Sequence, residues 1–201
     1  MNMLSPSVTE LICTRISHDL IGNIGAVSNA VELLEEGDMD FLDDIRSILK
    51  TSSQVLSARL KFFRMAFGLV NANLEDKSLV VKTTEDYLKT IGNQNFPIKL
   101  ETGDFSPASA KIFMICAMIM ADTLIKGGNI TIGEENGRFY AFASAPKLAG
   151  QKVGVLASIL SGDEAECTAQ YAPAFYLRQL TEASSVKINV ADEENFGFVI
   201  G

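Results

Sequence analysis

Apolar residues recur along the first third of the chain at helical spacing: Ile16, Leu20, Ile24, Val27, Val31 and Leu34. At 100° per residue they fall within about 80° of one another, a single narrow stripe of an amphipathic helix. Ser5-Pro6-Ser7 precedes the stripe, a helix start with proline near the first turn. No proline interrupts the run to about Glu36. Gly37-Asp38 ends it, and Asp40 or a neighbour caps the next helix. A second periodic run, Leu42, Ile45, Leu49, Leu56, Leu60, Phe63 and Phe67, predicts another helix of about 28 residues, about 42 Å long. Two long helices joined by a few residues predict an antiparallel hairpin. One hairpin has too little partner surface to bury both stripes. The pattern therefore predicts a homodimer in which two copies form a four-helix bundle.

The texture changes after Gly68, and Asn71-Ala72-Asn73 reads as a linker, dividing the chain into 1–70 and 74–201. Beyond it, Ser78 to Lys82 reads as a strand, Thr84 to Ile91 as a helix and Pro97 to Glu101 as a strand. Ser106-Pro107 opens an apolar helix to about Lys126, stopped by Gly127-Gly128. Asn129 to Gly133 and Arg138 to Ser144 predict a hairpin around Glu134-Glu135-Asn136-Gly137. Helices near Gln151 to Leu160 and Tyr171 to Ala183 come after it, then strands Val186 to Ala191 and Phe196 to Ile200. The fold class is α+β: a helical hairpin and then a sandwich with helices on one face of a mixed or antiparallel sheet. There is no internal repeat and no low-complexity segment.

Composition narrows the functions open to this fold. Hydrophobic residues make up 47% of the 201 and charged ones 21%, ordinary for a globular chain. A formal charge of −8 argues against nucleic acid as a partner, which calls for a basic patch. The three cysteines, Cys13, Cys116 and Cys167, have no metal-ligand spacing, and a single histidine excludes a Cys/His zinc site. They read as reduced structural thiols. The longest apolar run, Ile112 to Met120, is far shorter than the roughly 20 residues of a membrane span, and no secretory leader is evident. A cytoplasmic protein with no membrane or nucleic-acid partner is the expectation.

The single histidine, His18, lies about 160° around the helix from the middle of the stripe and is predicted to face solvent. Arg15, Gly22 and Gly25 share that outward side, and Asp19 flanks it. Two glycines on a solvated helix face cost about 1 kcal/mol each against alanine. Packing does not ask for them, whereas close approach of another protein would. An exposed imidazole offers a neutral nucleophilic nitrogen at physiological pH and can hold a phosphoryl group as an N–P adduct. Arg15 would offset the added charge, and Asp19 would hold the tautomer or take the proton. The plain alternative is a surface histidine without a role; the glycines and the dimerising hairpin weigh against it.

The string from Arg15 to Val27, with His18-Asp19-Leu20 at its centre, resembles the phosphoacceptor segment of sensor histidine kinases. Together with the order of elements along essentially the whole chain, it is more similar to the ChpT-type histidine phosphotransferases of alphaproteobacteria. That resemblance implies a dimerising hairpin joined to a domain shaped like a histidine-kinase ATPase domain. It implies a phosphotransferase enzyme in which His18 relays phosphoryl groups between response-regulator receiver-domain aspartates, fed by a hybrid histidine kinase. It further implies Arg15 and Asp19 in support, and docking around Gly22, Asn23 and Gly25. Asn23 stands where many relatives have proline, which bears on the usual helix bend.

A working kinase of this kind carries a magnesium-binding asparagine, an adenine-binding Asp-x-Gly-x-Gly loop and a glycine-rich lid. The helix Ile115 to Lys126 has no asparagine, Ala141 to Pro146 has neither the aspartate nor the glycines, and Gln170 to Tyr176 is a reduced lid. The ATPase-like domain is therefore read as degenerate. The chain needs no cofactor of its own, and Mg²⁺ comes with the receiver-domain partner. An ATP-dependent kinase with divergent boxes and a non-catalytic dimeric adaptor are the competing readings. Asp122, the one acid in that helix, reads as solvated rather than as a metal ligand, and Glu134-Glu135 as hairpin-tip charges. Met114, Met118 and Met120 read as core, and Phe62-Phe63 as packing between hairpin and second domain.

Overall fold

The computed structural model describes residues 6–36, 41–69, 72–163, 167–182 and 184–201. The expected helix stop at Gly37-Asp38, the cap at Asp40, and Ser5, Asn71 and Ala183 lie outside the described residues. Helix α1 spans Val8–Glu35. It begins where it does because Ser7 and Glu10 form a capping box: the Ser7 hydroxyl accepts from the Glu10 amide, and the Glu10 carboxylate accepts from the Ser7 amide at 2.7 Å. It runs unbroken through Asn23. Helix α2, Leu42–Phe67, returns along it. Arg59 of α2 reaches the main chain of Asp19 on α1; the two stand about equally far from the turn, as an antiparallel pair requires.

Helix α3, Lys77–Lys89, corrects the expectation of a strand at Ser78 to Lys82. Asp76 caps it by accepting from the Ser78 and Leu79 amides at 2.9 and 3.1 Å. Its buried residues Val80, Thr83, Thr84, Tyr87 and Leu88 repeat at helical spacing. The β-branched content of the segment masked that period. The remaining elements are β1 (Ile98–Thr102), α4 (Ala110–Thr123), β2 (Gly128–Glu135), β3 (Arg138–Ser144), α5 (Gly150–Ser161), α6 (Ala172–Leu180), β4 (Val186–Ala191) and β5 (Asn195–Ile200). Helix α4 ends at Thr123, three residues earlier than the sequence suggested. Gly127 and Gly128, both at positive φ, lead into β2 rather than stopping the helix.

The sheet order is β1-β2-β3-β5-β4. Strands β1 and β2 pair in parallel and the others antiparallel, so the sheet is mixed. Asn136 (φ 53°) and Gly137 (φ 73°) make the turn of the β2–β3 hairpin, both in the left-handed region such a two-residue turn demands. Along β3, Phe139, Ala141 and Ala143 are buried while their alternates are not. One face of the sheet is thus covered, and α4 lies over it with 11 of its 14 residues buried, the three methionines among them. Glu134 does more than mark a hairpin tip: its carboxylate accepts from the Ser106 amide and the Ser109 hydroxyl at 3.1 and 3.0 Å. It thereby holds the 3₁₀ turn that leads into α4.

The base of the hairpin shares this core. Phe62, Phe63, Met65 and Ala66 of α2 belong to the same buried cluster as α3, α4 and the sheet, and Phe62 stacks on Tyr87 with ring centroids 3.9 Å apart. Helix α1 packs both on α2 and on α6 with the 3₁₀ turn Ala169–Tyr171 before it. Its covered face therefore includes Leu11, Arg15, Asp19 and Ala30, rotated from the apolar stripe. Ile16, Leu20 and Val27 are half-buried, while Ile24, Val31 and Leu34 are exposed. Half of the stripe thus faces outward. No described helix is long and apolar enough to cross a membrane.

Candidate functional site

His18 occupies the middle of α1 with its side chain 83% exposed, and its Nδ1 lies 3.4 Å from Oδ1 of Asp19. The imidazole is thus backed by one carboxylate and open to solvent. A rigid helix under the ring keeps it from wandering, which matters to any reaction that needs a set line of attack.

Asp19 is itself held from two sides. Its Oδ2 accepts from Arg15 Nε at 2.8 Å, one helical turn earlier. Its main-chain carbonyl accepts from Arg59 Nη1. Arg59 in turn donates to the Thr90 hydroxyl and carbonyl at 3.0 and 3.1 Å, anchoring α1 to the end of α3. Arg15, expected on the solvated side, is only 12% exposed: α4 and the turn before α6 cover it. Its Nη1 and Nη2 grip the two oxygens of Asp122 at 3.0 and 2.8 Å, and Nη1 also donates to the Gln170 carbonyl at 2.8 Å. The fork is bidentate, the geometry a planar guanidinium favours. Burial opposes the Arg15 charge, but Asp122 and Asp19 more than compensate and hold its proton more firmly than usual. Burial pushes the Asp122 carboxyl above the usual carboxylate range, with Arg15 pulling the other way. Tyr87, fully buried beside this group, has its hydroxyl pushed up chiefly by desolvation.

Asp122 is therefore not the solvated acid the sequence suggested: its side chain is 16% exposed and paired. A charge in an otherwise buried helix needs a partner, and that was the available signal. Gln170, in the 3₁₀ turn before α6, contributes a main-chain acceptor, which no side-chain pattern reveals. Gly22 and Gly25 are exposed, and a Cβ on either would meet nothing within 4 Å beyond the local helix backbone. Packing within the chain does not ask for glycine at either place. Asn23 is half-buried, so of the three residues expected to dock a partner it is the least presented. Cys13, Cys116 and Cys167 form no disulfide, and burial raises the Cys116 thiol well above its ordinary value. Among the described residues no group of three or more His, Cys, Asp or Glu is placed to hold a metal ion.

Residues 81–196 match the family described as histidine phosphotransferase C-terminal domain. A 58-residue stretch is 50% identical to Protein phosphotransferase ChpT of Brucella abortus (strain 2308), covering 29% of this chain and 27% of that protein. A solved bacterial phosphotransferase superposes with a TM-score of 0.78 at 25% identity, covering 98% of each chain.

Proposed function

The chain belongs to the histidine phosphotransferase family, and we propose that His18 is the residue that carries the phosphoryl group. The donor is the aspartyl phosphate of one response-regulator receiver domain, itself fed by a hybrid histidine kinase, and the acceptor is the aspartate of another. The observation that carries this reading is an open imidazole on a rigid helix, backed by Asp19. In the forward step a ring-nitrogen lone pair forms an N–P bond as the P–O bond to the donor carboxylate breaks. The electron pair of that bond leaves on the carboxylate oxygen. Donation to the second receiver is the reverse, with the pair returning to nitrogen. Asp19 faces the cationic ring formed in between. Negative charge on the transferring phosphoryl would be neutralised by Mg²⁺ held in the receiver's own acidic pocket, since such transfer depends on positioning and charge neutralisation.

ATP is not the donor in this reading, which rests on the missing asparagine, aspartate and glycine-rich lid. The outward half of the α1 stripe supports a dimer: Ile24, Val31 and Leu34 are 50%, 42% and 42% exposed, and a second copy would cover them. A relay between receiver domains would operate in the cytoplasm.

The test is to incubate the full chain with a receiver domain labelled at its aspartyl phosphate. Acid-labile label on this chain, lost in His18→Ala, is the expected result. No label from several cognate receivers would favour the adaptor reading, and robust self-labelling from ATP and Mg²⁺ would favour a kinase.

A further inference from the structure

On the reading that His18 carries the phosphoryl group, we propose that Asp122 is a positioning residue: through Arg15 and Asp19 it holds the His18 ring as the Nδ1–H tautomer, leaving Nε2 to take and give the phosphoryl. Asp122, at the end of α4, grips both Nη atoms of Arg15 at 2.8 and 3.0 Å, and the Gln170 carbonyl takes a second bond from Nη1. Three bonds on one planar group fix its plane, and therefore the direction of its Nε–H. That N–H fixes Oδ2 of Asp19 at 2.8 Å, while Arg59 fixes the Asp19 main chain. With both ends of Asp19 held, Oδ1 faces His18 Nδ1 at 3.4 Å. An ionised carboxylate only accepts, so the contact selects the tautomer with its proton on Nδ1.

That proton decides the chemistry. The Nε2 lone pair forms the N–P bond, the P–O bond to the donor carboxylate breaks with its electron pair on oxygen, and Nδ1 keeps its proton facing Asp19. When Nε2 returns the phosphoryl to an acceptor carboxylate, the pair of the N–P bond returns to Nε2. The orientation of a residue on the first helix is thus set from α4.

Because His18 is the only histidine, ring ¹⁵N spectra of the full chain report a single imidazole. The proton is expected on Nδ1 in the wild type. Asp122→Asn is expected to shift the ring toward Nε2–H. It should lower the maximal transfer rate from a phosphorylated receiver domain by up to about a hundredfold, the scale of a reacting group misplaced by about 1 Å, with the half-saturating receiver concentration little changed. Asp122→Glu should restore part of both. A wild-type proton on Nε2, or an Asp122→Asn protein with wild-type tautomer and rate, overturns the proposal. Should Asp122→Asn fail to fold, Asp19→Asn, which leaves the Arg15–Asp122 pair in place, must show the same tautomer shift, and an unshifted ring there also overturns it. A wild type that takes no label defeats the functional reading instead, and the spectra still decide the positioning one.

Discussion

The two halves of α1 are built from similar residues and held in opposite ways. From Val8 to Leu20 the helix is tied down: capped by Ser7 and Glu10, buried at Leu11, and pinned at Arg15 and Asp19 by α4 and α2. From Ile21 to Glu35 it buries Ala30 but leaves Ile21, Ile24, Val31, Leu33 and Leu34 exposed. His18 sits just inside the tied half, with the unpadded glycines Gly22 and Gly25 beside it in the other. On the proposed function, labour is divided along one helix. Directional polar bonds hold the side chains beside His18, while the proposed dimer would use the non-directional apolar surface left over, which is what the hydrophobic effect does well.

At the boundary between the halves the strongest effect is on chemistry alone. His18→Ala should abolish labelling from a phosphorylated receiver while leaving the melting temperature and the oligomeric state unchanged, because the removed side chain is exposed and packs on neither half. A loss of the dimer in that variant would place His18 on the apolar side and dissolve the division. Next is the tie itself. Arg15→Met leaves Asp122 buried without its partner and should cost about 3–5 kcal/mol in urea unfolding. The double variant Arg15→Met with Asp122→Leu should recover most of that, since a buried ion pair replaced by packed apolar groups is often near neutral. It should nevertheless remain slow in phosphotransfer. If it transfers at the wild-type rate, the ion pair contributes only stability.

The loose half offers the next test. Ile24→Asp puts a carboxylate into the proposed seam at an unpaired cost of about 2 kcal/mol per copy, so the dimer dissociation constant measured by sedimentation should rise by more than about tenfold. Monomer stability should change by no more than about 0.5 kcal/mol, because the residue is exposed within the chain. The same substitution in the tied half, at Leu11, should do the reverse. Smaller still, Gly22→Ala and Gly25→Ala should each stabilise the helix by up to about 1 kcal/mol, with open space for the methyl. If these glycines admit a receiver domain, the stabilised proteins transfer more slowly. Equal or faster transfer would remove them from the docking face.

Why one half was legible in the sequence and the other was not comes down to the range of the interactions. Periodicity reports which side of a helix is apolar, so the hairpin, the terminal strands and the outward placement of His18 could all be read from spacing. It does not report what covers that side: the stripe predicts the buried face, yet α1 turns its Leu11–Arg15–Asp19–Ala30 side inward because α2, α6 and the turn leading into α6 pack against it. Arg15 and Asp122 are 107 residues apart, and no local pattern joins them. A charged residue near a helix end looks solvated until another element buries it. The Ser78 to Lys82 segment misleads for a different reason, since its β-branched content outweighs the Asp76 cap and the spacing of Val80, Thr84 and Tyr87.

The weakest effect concerns where the tied half begins. Glu10 accepts from the Ser7 amide and hydroxyl, and those bonds hold its carboxyl below the ordinary value of 4.5, the amide bond contributing most. A carboxyl depressed on folding contributes stability that is fully present above its unfolded value and lost as pH falls through the folded one. The capping box should therefore support α1 at neutral pH and weaken below about pH 4.5. The wild-type advantage over Glu10→Gln in melting temperature should be small at pH 7 and shrink further on acidification, because Glu10 is exposed and its bonds compete with water. Hydrogen exchange gives the sharper reading. Acid should speed exchange at the first turn of α1 while amides near Asp19 stay protected by Arg15 and Arg59. If protection is lost together from Val8 to Leu20, the cap and the ion pair form one cooperative unit, and the tied half is held as a whole.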